Sequence, residues 1–465
     1  MTWWQRPGVE ARRALVRRLH GVLPAAAKGA RTYVEHLEST ADPLDVAEAL
    51  CEEPGFLWLD SAGGASRLFT RPLVTLAVTG RTLMVNGELM EAGGFEALEA
   101  ALAAWAGPAG ALLVGFLGYD LAGELEQLPS LPSSSGSIPD LYLALYDSHW
   151  VHDGGWTHIR TDAWRETRAD EPPVADGRIE SAPPSEGPVS STPGAVEFEA
   201  AVGRTVDRIY AGELFQTNLC RRLDAPLRTE NMWDLYRRLR ALNPSRYGAY
   251  LPLSGGRAVL STSPELYLQV QGGRVRSSPI KGTRPLGVSN EDDARLAAEL
   301  LDSVKERAEL AMIVDVVRND LARVCVPGTV RVDSHAELMR LPTLMHTVST
   351  VSGRLREDAG GLAGLLRASF PPASISGAPK IHAMEVALAE EKRRRGPCMG
   401  GIGWISMDGS AELSVAIRTA VVADRHVYYE TGCGITASSD PAMELEETRH
   451  KARAFLRALG CEETN

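Results

Sequence analysis

Long apolar runs are missing from this chain of 465 residues. No stretch is long and apolar enough to span a bilayer, so a helical membrane protein is not expected. The first residues, MTWWQRPGVEARRALVRRLHGVL, carry arginines throughout and no uninterrupted apolar region, which is not the pattern of a secretory signal. Cysteine is scarce. The six are Cys51, Cys220, Cys325, Cys398, Cys433 and Cys461; none forms a C-x-x-C pair or a zinc-spaced cluster with histidine. They read as small core residues in a reduced, cytoplasmic compartment. A basic excess is also absent. The net charge of -11 argues against non-specific nucleic-acid binding, which needs a positive surface, but leaves room for a locally positive site that takes a small anion. There is no P-loop, no G-x-G-x-x-G opening a helix after a strand, no G-x-S-x-G elbow, and no recognisable Ser, His and Asp arrangement.

What remains is an ordinary globular composition, 44% hydrophobic and 23% charged. The length allows two or three domains or one elaborate α/β unit. Two stretches rich in Pro, Ser and Gly interrupt it, Leu128 to Asp140 and about Asp170 to Gly194. The second divides the chain into an N-terminal region, 1–169, and a region 195–465; residues 170–194 are either a linker or a long surface loop. Short runs such as GFLWLD, RPLVTLAV, ALLVGFLGYD, GGIGWISM and HVYYETGCGI have strand length and are bounded by turns. EDDARLAAELLDSVKERAELAMIVDVVRNDLARV has helical periodicity, and a last helix follows Asp440 and Pro441, which suit its N-cap and first position. With no βαβ rhythm and no repeat, the fold class is α+β with large, mostly antiparallel sheets.

Two E-x-x-E pairs, Glu306/Glu309 and Glu444/Glu447, each project from one face of a predicted helix. Brought together they would suit magnesium, which takes one or two protein carboxylates with waters and anionic substrate oxygens; alone, such a pair is more commonly a solvated helix face. His346, between apolar segments, reads as a core histidine. Arg418, inside the apolar strand VAIRTAVV, needs an anionic partner, either a structural carboxylate or a substrate. The run Lys392 to Arg395, before Gly396 and Pro397, reads as a solvated helix end.

Taken in order, FQTNLCRRL, SPELYL, PIKGTRP, ELAMIVDVVRNDLARV, MHTVSTVSGRL, SISGAPKIHAME, AIRTAVV, TGCGI and SDPAMELEETRHKA resemble the catalytic region of the chorismate-utilising enzymes. The resemblance runs from about Gly55 to Leu459. It implies that family's fold, two large, mostly antiparallel β-sheets packed as a sandwich with helices outside. It also implies a magnesium site at Glu309 and Glu447 with Glu306 and Glu444 beside them, since a divalent ion would let a carboxylate-lined pocket accept the chorismate dianion. Arg418 matches the arginine that holds the pyruvyl carboxylate. Ser374, Gly377, Ala378, Lys380, Gly432, Gly434 and Thr283 match substrate-contacting segments. His346 matches a histidine near the substrate, and Glu265 the acid that assists departure of the ring hydroxyl.

Gln216 stands where the water-adding members have a lysine, which favours amination over hydration. Lys281, in PIKGT, resembles the aminodeoxychorismate-forming branch, in which such a lysine is proposed to attack the ring as the hydroxyl leaves. Asn218 points the same way. The resulting expectation is an aminodeoxychorismate synthase component I, feeding p-aminobenzoate and folate, with anthranilate formation as the alternative and a non-catalytic amino-acid-binding regulatory subunit as the reading from another class. Nothing resembles a glutaminase, so ammonia is expected from a separate class I glutamine amidotransferase subunit. Departures from the family pattern are Trp404, Ser438 and Glu412. The segment FLWLDSAGGASRLF resembles a region that in relatives forms a tryptophan pocket.

Overall fold

Strands that are apolar on both faces need cover on both faces, and Leu112–Leu117 shows how this chain supplies it. All six of its residues are buried. Leu112, Val114 and Phe116 join an apolar cluster with residues of a second sheet, whereas Leu113 and Leu117 join a cluster formed with helices on the opposite side. The period of two thus splits one strand between two cores.

The computed structural model describes residues 9–129, 138–165, 172–173, 185, 187–227, 232–341 and 344–461. Most of the Pro- and Ser-rich segment 170–194, and the middle of Leu128 to Asp140, lie outside them. Two sheets of 12 strands each, with antiparallel pairing throughout the described ladders, make a sandwich. The first runs from Thr32–Leu37 through Leu57–Asp60, Tyr247–Leu253, Arg257–Ser263, Thr419–Ala423 and His426–Ile435 to Gln216–Pro226 and Ser190–Thr192. The second runs from Ile280–Pro285 through Leu344–Arg354, Leu266–Gln271, Ala411–Val415, Gly401–Ser406 and Leu112–Leu117 to Glu88–Glu91. Each sheet therefore takes strands from both sides of the 170–194 segment. Helices Pro43–Leu50, Met232–Leu242 and Pro441–Leu459 cover the outer face of the first sheet, and Val9–Val22, Gly94–Ala104, Val304–Ala322 and Gly361–Ser369 that of the second. The α+β sandwich expected from the sequence is the fold observed.

Local signals act where they were read. Asp440 caps Pro441–Leu459 by accepting from Met443 N, and Pro441 takes the first turn. The long helical stretch after residue 290 is instead two helices, Asn290–Asp302 and Val304–Ala322. Ser303 makes the break: it leaves the helical region and accepts from Glu306 N, so a hydroxyl good at capping starts a new helix in the middle of an unbroken apolar period.

In the Lys392 to Arg395 run Lys392 is the solvated helix end expected, but the three arginines are not solvated. Arg395 is 2% exposed and pairs with Glu391 at 2.6 Å, Arg393 reaches Glu430 at 2.6 Å, and Arg394 reaches Asp140 at 2.6 Å. Charge density alone suggested solvent; the arginines meet buried carboxylates instead, Glu391 one turn back and Glu430 and Asp140 far away in sequence. Removing one member of such a pair leaves a bare buried charge, so Arg395→Ala is expected to cost about 3–5 kcal/mol of unfolding free energy, measured by chemical denaturation. A loss under about 1 kcal/mol would show the pair to be hydrated rather than buried.

Candidate active site

Two of the segments that carry the chain between the sheets hold the first site residues. Arg257–Ser263 leads through Glu265 into Leu266–Gln271, and Ala411–Val415 returns through Arg418 to Thr419–Ala423. The segments are stitched together: Ser263 Oγ donates to Val415 O at 2.6 Å, Val415 N to Glu265 O at 3.0 Å and Thr262 N to Arg418 O at 3.0 Å. Arg418 itself sits at φ +49°, a left-handed conformation that costs a non-glycine residue energy and is met at sites where geometry matters more than stability.

The half-buried Arg418 guanidinium donates to Asn243 Oδ1 at 3.0 Å and lies 3.4 Å from His346 Nε2. None of its described partners is a carboxylate. His346 Nδ1 meets Gly282 O and Thr283 Oγ1, each at 3.0 Å. The carbonyl can only accept, so Nδ1 carries the hydrogen and Nε2 is left to accept from Arg418. Burial, then the Arg418 charge, pushes the histidine down to about 4, which keeps it neutral near pH 7. The residue read as a core histidine or a substrate neighbour is in this structure the prop behind the arginine.

Carboxylates gather on the helices Val304–Ala322 and Pro441–Leu459. Glu447 is held by Lys451 Nζ at 2.7 Å, and Glu444 by Lys305 Nζ at 3.3 Å and Ser439 Oγ at 2.7 Å. Lys451 keeps Glu447 below the usual carboxylate range, whereas burial pushes Glu309 up against the pull of Lys281 and Lys305. Glu309 has no cation at ion-pair distance among the described contacts. Glu306 is turned to Arg284 Nη1 at 2.9 Å, and its Oε2 is buried without a partner. No three His, Cys, Asp or Glu side chains among the described residues stand in ready metal-binding geometry. Lysines occupy the space between the carboxylates instead.

Between these two ends lies Lys281. Its Nζ donates to Ser374 O at 3.1 Å, and Glu265, Glu309 and Glu447 all feel its charge. Gln216 lies across Gly434, where an added Cβ would stand 2.2 Å from Gln216 Nε2 and 3.7 Å from Lys281 Nζ, so only glycine leaves room for the amide. Gln216 Oε1 is buried with no partner. Gly377 and Ala378 pair with Thr217 and Gln216, and Gly377 takes φ +148° because a Cβ would lie 2.2 Å from Gln216 O. Lys380 was expected at the substrate, but its ammonium is spent on Asp320 Oδ2 at 2.6 Å, Ser369 O at 2.7 Å and Pro371 O at 2.9 Å. It fastens the loop. Asn218 likewise serves structure, donating from Nδ2 to Cys220 Sγ at 3.1 Å.

Glu265 is buried, and desolvation pushes it up to about 7 despite Ser374 and Lys281, which favour its charged form. A group used as an acid must carry its proton. If Glu265 is that acid, the rate is expected to hold below pH 7 and to fall as pH rises through about 7. A profile of kcat against pH in the presence of saturating substrate checks this; a flat profile from 6 to 9 would remove Glu265 from the role.

Sequence reading missed Lys305, Lys451 and Asn243. The lysines had a signal: Lys305 is four residues before Glu309 and Lys451 four after Glu447, on the same helix faces. Asn243 had none, because it comes from a helix end distant in the chain. Trp404 does not enter this site. It lines a separate cavity with Asp60, Ala65, Arg246, Tyr247 and Glu412, and Arg67 stacks over its ring at 5.2 Å.

A family model described as chorismate binding enzyme matches residues 53–457. The anthranilate synthase component 1 of Streptomyces coelicolor is 37% identical over 96% of this chain and 90% of that protein. That of Thermus thermophilus is 40% identical over 75% of this chain and 77% of its own. Among solved structures, anthranilate synthase component I from Streptococcus pneumoniae superposes with a TM-score of 0.75 at 28% identity, covering 90% of this chain and 98% of that one. A menaquinone-specific isochorismate synthase from Escherichia coli shares the fold, with a TM-score of 0.73 at 19% identity over 96% of this chain and 99% of that one. These relatives overturn the aminodeoxychorismate reading. It leaned on Lys281, whose Nζ in this structure donates to Ser374 O at 3.1 Å. From the match across most of its length, this chain belongs to the chorismate binding enzymes.

Proposed function

We propose that the chain is an anthranilate synthase component I, which converts chorismate and ammonia to anthranilate, pyruvate and water, with ammonia supplied by a separate glutamine amidotransferase subunit. The observation that carries the reading is Arg418, a half-buried guanidinium held by a neutral histidine and an asparagine, with no described carboxylate partner. A desolvated cation of that kind calls for an anion from outside. The names of the 37–40% identical relatives direct the choice of product.

In this reading Arg418 takes the pyruvyl carboxylate in bidentate fashion. His346 and Asn243 fix its plane. Glu309 and Glu447, with Glu444 and Glu306 near them, would hold a magnesium ion, whose charge offsets the ring carboxylate against theirs. The donor set fits: hard oxygen ligands, one of them, Glu309, half-buried with no described ion pair, and another, Glu306, with an orphaned buried oxygen. Glu265 gives its proton to the leaving ring hydroxyl, since hydroxide is a poor leaving group. Gln216 cannot act as a base for water, so the nucleophile is the arriving ammonia. Ser374, Gly377, Ala378, Gly432, Gly434 and Thr283 shape the wall around the ring, and Lys281 balances the surrounding carboxylates.

The test is to incubate the pure protein with chorismate, magnesium and an ammonium salt at pH 8. Direct appearance of fluorescent anthranilate with one equivalent of pyruvate is expected. Chorismate consumed without pyruvate, or no consumption at all, would overturn the proposal.

A further inference from the structure

Arg395 lies outside the segments that line the site, yet its side chain fastens two of them together. Nη2 donates to Asn218 O at 2.7 Å and Nη1 to Ile375 O at 3.2 Å. Asn218 stands two residues after Gln216 on the strand Gln216–Pro226, and Ile375 follows Ser374. The two segments also meet directly, through Asn218 N to Ser376 O at 2.9 Å and the pairing of Gln216 with Ala378. Ser374 O receives Lys281 Nζ at 3.1 Å, so the turn that Arg395 holds also places that lysine. Nε and Nη2 of Arg395 bind Glu391 at 3.0 and 2.6 Å, and Glu391 Oε1 accepts from Cys220 N at 2.8 Å, further along the Gln216 strand.

The support for Arg395 comes from the other side of the 170–194 segment. Its guanidinium lies over the Tyr119 ring at 4.4 Å. Asp120 accepts from Gly396 N at 2.8 Å and from Arg395 N at 3.3 Å, and Tyr119 N donates to Gly396 O at 2.8 Å. Tyr119, Glu391 and Arg395 are buried. Tyr119 and Asp120 open the short turn Tyr119–Glu124, which follows the strand Leu112–Leu117 packed on both faces. A rigid element of the N-terminal region thus carries the contact.

Resting on the function proposed above, we infer that Arg395 is a positioning residue for the amination: it sets the separation of the Gln216 strand from the Ser374 turn, and Tyr119 and Asp120 hold it there. A planar guanidinium that donates to two carbonyls and a carboxylate fixes the distances among all three, which a single ammonium cannot do. The described hydrogen bonds of its side chain reach Asn218 O, Ile375 O and Glu391, so it acts through the backbone it binds. Arg418 and the four glutamates, proposed to grip the two carboxylates of chorismate, lie on other segments. Loosening the Arg395 contact therefore falls on the place of the nitrogen nucleophile beside Gln216, with the grip on chorismate kept.

Arg395→Lys keeps the charge beside Glu391 but loses the fork. Its KM for ammonium is expected to rise and its kcat to fall, each about tenfold, as small displacements of reacting groups do. KM for chorismate should stay within about twofold of wild type, because the carboxylate grip is untouched. Asp120→Asn and Tyr119→Leu, which weaken the hold from the N-terminal region, should raise the ammonium KM by about threefold. An ammonium KM unchanged in all three variants would overturn the inference even if kcat and melting temperature fall, since loss of folded enzyme lowers kcat alone. So would a chorismate KM that rises in step with that for ammonium. Amide exchange at Asn218 N, whose bond to Ser376 O joins the two segments, gives a readout without turnover. It should quicken in Arg395→Lys while amides of the last helix keep their wild-type rates. Wild-type protein that forms no anthranilate sinks the function proposed above, and exchange alone then decides the positioning role: unchanged rates at Asn218 sink it.

Discussion

Arg418→Ala is expected to lower kcat/KM for chorismate by roughly 30-fold to several thousand-fold, the equivalent of about 2–5 kcal/mol for a buried, hydrogen-bonded charge pair that loses one partner. The structure makes the change costly for a specific reason. Asn243 Oδ1 and His346 Nε2 fix the guanidinium from behind, and its positive φ is tolerated for that placement. Substrate therefore meets a preorganised fork and does not have to order a flexible one. Arg418→Lys should recover little, because a point charge cannot bind both oxygens of a carboxylate or accept support at two nitrogens. The loss is expected mainly in KM if the pyruvyl carboxylate is gripped equally in ground and transition states, and in kcat if the grip tightens as the ring hydroxyl leaves. Steady-state kinetics with varied chorismate at saturating ammonium distinguish these. Activity within about threefold of wild type would show that Arg418 only supports the sheet crossing.

Much of the architecture was legible because it depends on period and punctuation. The short apolar strand Leu112–Leu117 and the Asp440–Pro441 start of the last helix follow from local rules. The break at Ser303 did not, since periodicity runs straight through it and only the hydroxyl's capping bond decides. The pairing of Arg393 and Arg394 was also hidden, because Glu430 and Asp140 are brought to them by sheet pairing and not by sequence proximity. The site shows the same division. Glu309 and Glu447 could be read from helix spacing, and Arg418 from a charge in an apolar strand. Asn243 reaches Arg418 only once the chain has crossed between sheets. Lys281 shows a further limit. A residue type in a motif states that a cation is present, but its chemistry depends on the three carboxylates that folding places around it. In this case the motif favoured one product, and relatives across 96% of the chain favour another.

Glu447→Gln is the second change with a large expected effect, and its reasoning starts from the metal-free protein. Lys451 already neutralises Glu447, and Lys305 neutralises Glu444, so an arriving magnesium ion must compete with two ammonium groups for its ligands. The ion wins only if its double charge, shared with a substrate carboxylate, outweighs the lysine contacts. Taking the charge from Glu447 removes an anionic ligand and also leaves the Lys451 ammonium beside a neutral amide, so the site becomes more positive where a cation should bind. Magnesium affinity, followed by calorimetry with no substrate turnover, is expected to weaken beyond the roughly 10–100-fold seen for indirect supports of a metal ligand. Activity should fall with it, and added magnesium should restore only part. Lys305→Ala should act in the opposite direction on affinity, because it removes the competitor at Glu444 and keeps both carboxylates. If both variants bind magnesium as the wild type does, these glutamates are partners of lysines alone, and the ion sits elsewhere.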